Sequence, residues 1–128
     1  MQFKYPHLAT EFDLLDKRCQ VVGYAIDGYC RDIFGIEITV TSVYREDSPT
    51  HGAYCAFDMR IEPDEGEPLF TDAQLIDLKN FTSRIKYDLN RPEKPTLYIH
   101  PNKSGKGKHG HCQVWPGSKQ TVLTNERI

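Results

Sequence analysis

His51, Asp58 and the pair His109 and His111 are the side chains of this sequence whose types and spacing could do chemistry. Imidazole and carboxylate are donors that zinc prefers. Three such groups, two from one short segment and one from a distant strand, make a tetrahedral site with one corner open, which is what a hydrolytic metal needs. A lone histidine is more often a hydrogen-bonded surface or core residue than a ligand, so the weight lies on the combination. Of the 5 histidines, His51, His100, His109 and His111 follow residue 50, and three of them belong to this constellation.

Strand parity decides which of these groups can face one another. If the segment from His109 to Val114 is extended, His109, His111 and Gln113 project from one face, and Cys112 and Val114 from the other. The same alternation puts Ala56, Asp58 and Arg60 opposite Phe57, Met59 and Ile61. Ala56 is small and leaves room for water or substrate beside a ligand. His100, brought near by a hairpin across 101–108, competes for a ligand's place and is read as a structural or supporting residue.

The elements that must position these groups follow from hydrophobic periodicity. Leu14, Leu15, Val21, Val22, Ala25, Ile26, Tyr29, Ile33 and Phe34 recur near helical spacing, which predicts one helix from Glu11 to Phe34, bent near Gly23 and stopped by Gly35. Ile36 to Val43 alternates as a half-buried strand, Glu46 to Gly52 reads as a loop, and Tyr54 to Ile61 alternates again. Pro63 to Pro68 is an acidic connector. Thr71 with Gln74 three residues on opens a second helix, whose buried stripe is Leu75, Leu78, Phe81, Ile85 and Leu89. Last strands fall at Thr96 to His100 and His111 to Trp115, with Trp115 a core residue or the border of a groove. The expectation is one α+β domain over 1–128, with its core at about 11–115 and a C-terminal tail at 116–128.

A chain of 128 residues buries enough surface to hold together without a metal, so a bound ion points to function more than to stapling. The 16 basic and 18 acidic residues leave a net charge of -2, which argues against nucleic acid or a membrane surface as a partner. The basic, Gly-rich stretch Lys103 to Lys108 reads as a mobile loop or a substrate-contacting one. No apolar leader or membrane span is visible, so the sequence reads as soluble, with no signal peptide. Cys19, Cys30, Cys55 and Cys112 lack CxxC spacing and read as reduced core thiols.

Three stretches lie in a recognisable order: Ser42-Val43-Tyr44-Arg45, then Ser48-Pro49-Thr50-His51-Gly52-Ala53-Tyr54-Cys55-Ala56-Phe57-Asp58, then His109-Gly110-His111. Over roughly 11–115 the chain resembles the zinc peptidases of the D-alanyl-D-alanine metallopeptidase, lysostaphin and hedgehog superfamily, especially compact phage and prophage peptidases. Their signature joins S-x-x-R, S-x-H-x-x-G-x-A-x-D and a late H-x-H or acid-x-x-H. The resemblance implies a small antiparallel sheet flanked by helices, with Zn2+ bound by His51, Asp58 and His111. It also implies that His109 assists catalysis beside the metal, that Arg45 holds a substrate carbonyl or carboxylate, and that Ser42 shares the substrate motif. The chain departs from the pattern at Tyr54, where the family prefers Gly and where the ring would narrow the cleft or contact the peptide. Pro49 replaces the usual Ser. Lys108 stands where several relatives carry a catalytic acid, which leaves base catalysis to His109 or a carboxylate from elsewhere.

The function expected on this resemblance is hydrolysis of an amide bond in bacterial peptidoglycan peptide, by a D-Ala-D-Ala carboxypeptidase or an endolysin-like endopeptidase. It would be made in the cytoplasm and reach the cell wall after release or delivery. The alternative is a catalytically weak or inactive zinc module of the same fold with a binding or phage structural role. An unrelated small α+β binding domain is the third reading.

Overall fold

The computed structural model describes residues 1–63, 66–86, 95–100 and 108–115, and the backbone of 124–125. The Lys103 to Lys108 loop up to 107, the Tyr87 to Arg91 segment with Leu89, part of the Pro63 to Pro68 connector and most of the tail lie outside these residues. The fold is α+β. In chain order the elements are β1 (Gln2–Phe3), α1 (Pro6–Asp13), α2 (Lys17–Tyr29), β2 (Thr39–Ser42), β3 (Ala56–Arg60), α3 (Asp72–Ser83), β4 (Ile85–Lys86), β5 (Leu97–His100), β6 (His109–Gln113) and β7 (Thr124–Asn125).

Two helices stand where the periodicity predicts one. The chain breaks between them, and the Asp16 side chain accepts from the Arg18 amide at 2.9 Å, an N-cap that restarts the helix as α2. Gly23 lies inside α2 against the Phe12 ring, where an added Cβ would sit 2.7 Å from Phe12 Cζ. The second helix runs on as a π-helical turn, Cys30–Phe34, and stops at Gly35 in the left-handed region, at φ 69°. α3 opens as expected: the Thr71 hydroxyl accepts from the Gln74 amide at 3.1 Å, and the Gln74 side chain returns to the Thr71 amide at 2.9 Å. It ends at Ser83, so Ile85 belongs to β4, which pairs with β7.

The five-stranded sheet has the order β1-β2-β3-β6-β5. It is mixed, a correction to the antiparallel sheet that the resemblance implied, because β1 lies parallel to β2 while the other neighbours are antiparallel. Two-residue β1 is held by bonds from the Gln2 and Lys4 amides to the carbonyls of Ile38 and Val40. A strand so short carries no period to read. The core also reaches back to Leu8, ahead of residue 11.

One face of the sheet is apolar. Phe57, Met59 and Cys112 are fully buried there with Val22 and Ile26 of α2, and the Phe12 ring packs edge-on against Phe57 at 5.5 Å. The opposite face of β3 and β6 carries the polar residues. Among the described residues, no helix is long and apolar enough to cross a membrane.

Candidate metal centre

β3 and β6 pair in a register that fixes the site: Asp58 stands opposite His111, Arg60 opposite His109 and Ala56 opposite Gln113. Directly opposed residues share a face. On the outer side of β6, β5 adds Tyr98 opposite His111 and His100 opposite His109. On the other side, Ser42 of β2 stands opposite Asp58. The sheet therefore presents two parallel rows, Ser42-Asp58-His111-Tyr98 and, two residues along, Arg60-His109-His100.

His51 comes to this face from a tight turn. The turn is tied by bonds from the Gly52 amide to Ser48 O (2.8 Å), from Tyr54 N to His51 O (3.1 Å) and from Cys55 N to Thr50 O (2.9 Å). The His51 ring is fully buried, and its Nδ1–H donates to the Val43 carbonyl. With that nitrogen protonated, the lone pair of Nε2 faces the sheet.

Three donor atoms then converge. His51 Nε2 lies 3.2 Å from His111 Nδ1 and 3.3 Å from Asp58 Oδ1, and His111 Nδ1 lies 3.1 Å from the same Asp58 oxygen. His111 Nε2 meets the Gln113 side-chain oxygen at 3.0 Å, so donation there leaves a lone pair on Nδ1. Two imidazole lone pairs and a carboxylate oxygen around one point repel unless a cation lies among them. His51, Asp58 and His111 form a group that could hold a metal ion. Val43 and Gln113 fix the two rings from behind, as partners of metal-ligating histidines do.

Burial would raise the Asp58 carboxyl, but hydrogen bonds from His111 and His51, with their charge, outweigh it and hold the group well below the usual carboxylate range. The other Asp58 oxygen lies 3.5 Å from Arg45 Nη1, and Arg45 Nε lies 3.9 Å from Asp47.

The remaining sequence candidates fall around this triangle. His109 lies on the same face but outside the triad, its ring 5.0 Å from that of His100. Tyr54 has φ 55°, and its ring stacks on Tyr44 at 5.1 Å. That φ lies in the left-handed region, which glycine adopts more readily than tyrosine. Lys108 pairs with Glu62 at 3.7 Å, away from the triad. Trp115 is exposed, a correction to its reading as a core residue, and Arg18 Nη2 donates to its carbonyl at 3.3 Å.

Sequence reasoning passed over Tyr98 and left Arg60 without a role. Tyr98 lies 6.1 Å ring to ring from His111. Alternation in Thr96 to His100, set beside that of the His109 strand, was the signal for both rows. No family model, curated protein or solved structure matches the chain.

Proposed function

We propose that this chain is a zinc-dependent metallopeptidase that hydrolyses an amide bond in bacterial peptidoglycan peptide. The observation that carries this reading is the donor triangle, with edges of 3.1, 3.2 and 3.3 Å. Nitrogen and oxygen ligands at 2.0–2.1 Å from a tetrahedral zinc stand about 3.3–3.4 Å apart. The triangle thus fits zinc with little movement. Two imidazoles and one carboxylate also favour it over magnesium or calcium, which take oxygen ligands.

Bound zinc supplies a Lewis acid for the peptide carbonyl and an activated water at neutral pH. The protein does the rest. Val43 and Gln113 hold the two imidazoles in the tautomers that present their lone pairs. Arg45 steadies the second Asp58 oxygen and, being half exposed, keeps N–H groups for a substrate oxygen. His109, one pleat along the sheet, carries a proton toward the leaving amine or donates to the developing oxyanion. The order of the three motifs supports a phage or prophage wall-cutting enzyme as the source of this arrangement.

Zinc content after dialysis, together with new amino termini released from peptidoglycan, tests this. We expect one zinc per chain and measurable release, both lost in His111→Ala. In His109→Ala zinc stays and release falls by roughly 10²–10⁴-fold. A chain that holds zinc and releases nothing supports the second reading, a zinc module without catalysis. The Lys108 ion pair, at a position where several of the resembled peptidases carry an acid, favours that reading. A chain that retains no zinc overturns both.

A further inference from the structure

The second row on the site face, Arg60-His109-His100, has a use that metal binding leaves open. Arg60 stands opposite His109, and His109 opposite His100, so the three side chains lie abreast on one face. The His100 and His109 rings lie 5.0 Å apart at a tilt of 33°. All three residues are partly exposed. Among the described residues no hydrogen bond or ion pair engages the Arg60 guanidinium. Arg45, by contrast, is already drawn to Asp58 at 3.5 Å and Asp47 at 3.9 Å. One cation serves the metal row, and the other stands open to a ligand.

Spacing selects that ligand. Two residues along a strand separate the rows by about 7 Å. An extended peptide advances about 3.3–3.6 Å per residue. With the scissile carbonyl at the metal row, the carboxylate of the single residue beyond it therefore falls within reach of the second row. A guanidinium fork matches a carboxylate with two parallel N–H bonds, and imidazole N–H groups add donors beside it.

We propose that Arg60, flanked by His109 and His100, forms an anion subsite that holds the free C-terminal carboxylate of the substrate. The subsite makes the chain select peptide ends over peptide interiors. The role of Arg60 would be substrate positioning, and the inference rests on the peptidase reading above.

The test compares an N-acetylated peptide ending in D-alanyl-D-alanine with the same peptide amidated at its C-terminus, using the zinc-loaded chain. Binding is read by calorimetry and cleavage by mass spectrometry. We expect the acid to bind at least tenfold tighter than the amide, and the preference to appear mainly in KM. Arg60→Gln should bring the two peptides to within about twofold while leaving zinc content unchanged, and Arg60→Lys should restore part of the preference. Equal binding of acid and amide by the unaltered chain overturns the proposal, even if both are cut, and leaves the peptidase reading intact. Acid-selective, Arg60-dependent binding without cleavage upholds the subsite and overturns the peptidase reading instead. A preference that survives Arg60→Gln overturns the assignment to Arg60.

Discussion

At the scale of single residues, His111 gives one ring nitrogen to the triangle and rests the other on Gln113. Removing that support leaves the ligand in place but frees its ring and tautomer. Gln113→Ala should therefore weaken metal binding by about 10–100-fold with the fold retained, measured by competition with a chromophoric chelator. An unchanged affinity would show that Gln113 has no part in orienting the ring. Gly110, between the two histidines, faces the core, where an added Cβ would lie 3.0 Å from Met59 Cγ and 3.2 Å from Leu97 Cδ1. Gly110→Ala should cost about 1–3 kcal/mol in chemical denaturation by overpacking.

At the scale of elements, the turn that carries His51 is strained at Tyr54, where φ is 55°, and the strain is offset by stacking on Tyr44. Tyr54→Ala keeps the left-handed backbone and loses the stack, whereas Tyr54→Gly loses the stack and the strain together. The glycine variant should be the more stable of the two by about 1 kcal/mol. Equal stability would mean the backbone is not strained there. The strands that carry Asp58 and His111 were legible because alternation is a strong signal and both faces have distinct chemistry. The helix break at Leu14 to Asp16 was not, since Leu14 and Leu15 continue the apolar period and only the Asp16 cap interrupts it. The rows on the sheet face were half legible: parity grouped His109 with His111, but pairing between strands, which brings Arg60 and His100 alongside, is a tertiary fact.

At the scale of the whole molecule, the apolar core lies on the sheet face opposite the candidate metal centre, so it should form without a metal, and a bound ion should add to its stability by mass action. Free zinc at 100 times its dissociation constant contributes about 2.7 kcal/mol, and chelation should lower Tm by roughly 10 °C without unfolding the chain at room temperature. Cooperative loss of structure on chelation at that temperature would show instead that the metal holds the fold. The four cysteines lie inside the same core; burial pushes the Cys30 thiol up to about 12 and Cys112 well above the usual value. A thiol reagent should therefore titrate less than one group in the native chain and all four after denaturation. Fast native reaction would show that the core opens. The three candidate ligands are mounted unequally: Asp58 and His111 on paired strands within the sheet, His51 on a turn held by a few backbone bonds. That inequality sets an order of events in metal exchange. On the proposed zinc reading, an ion should leave by way of the turn with a dwell time set by the opening rate of residues 48–55, and the amides of Gly52, Tyr54 and Cys55 should exchange with deuterium in step with zinc loss while those of the sheet remain protected.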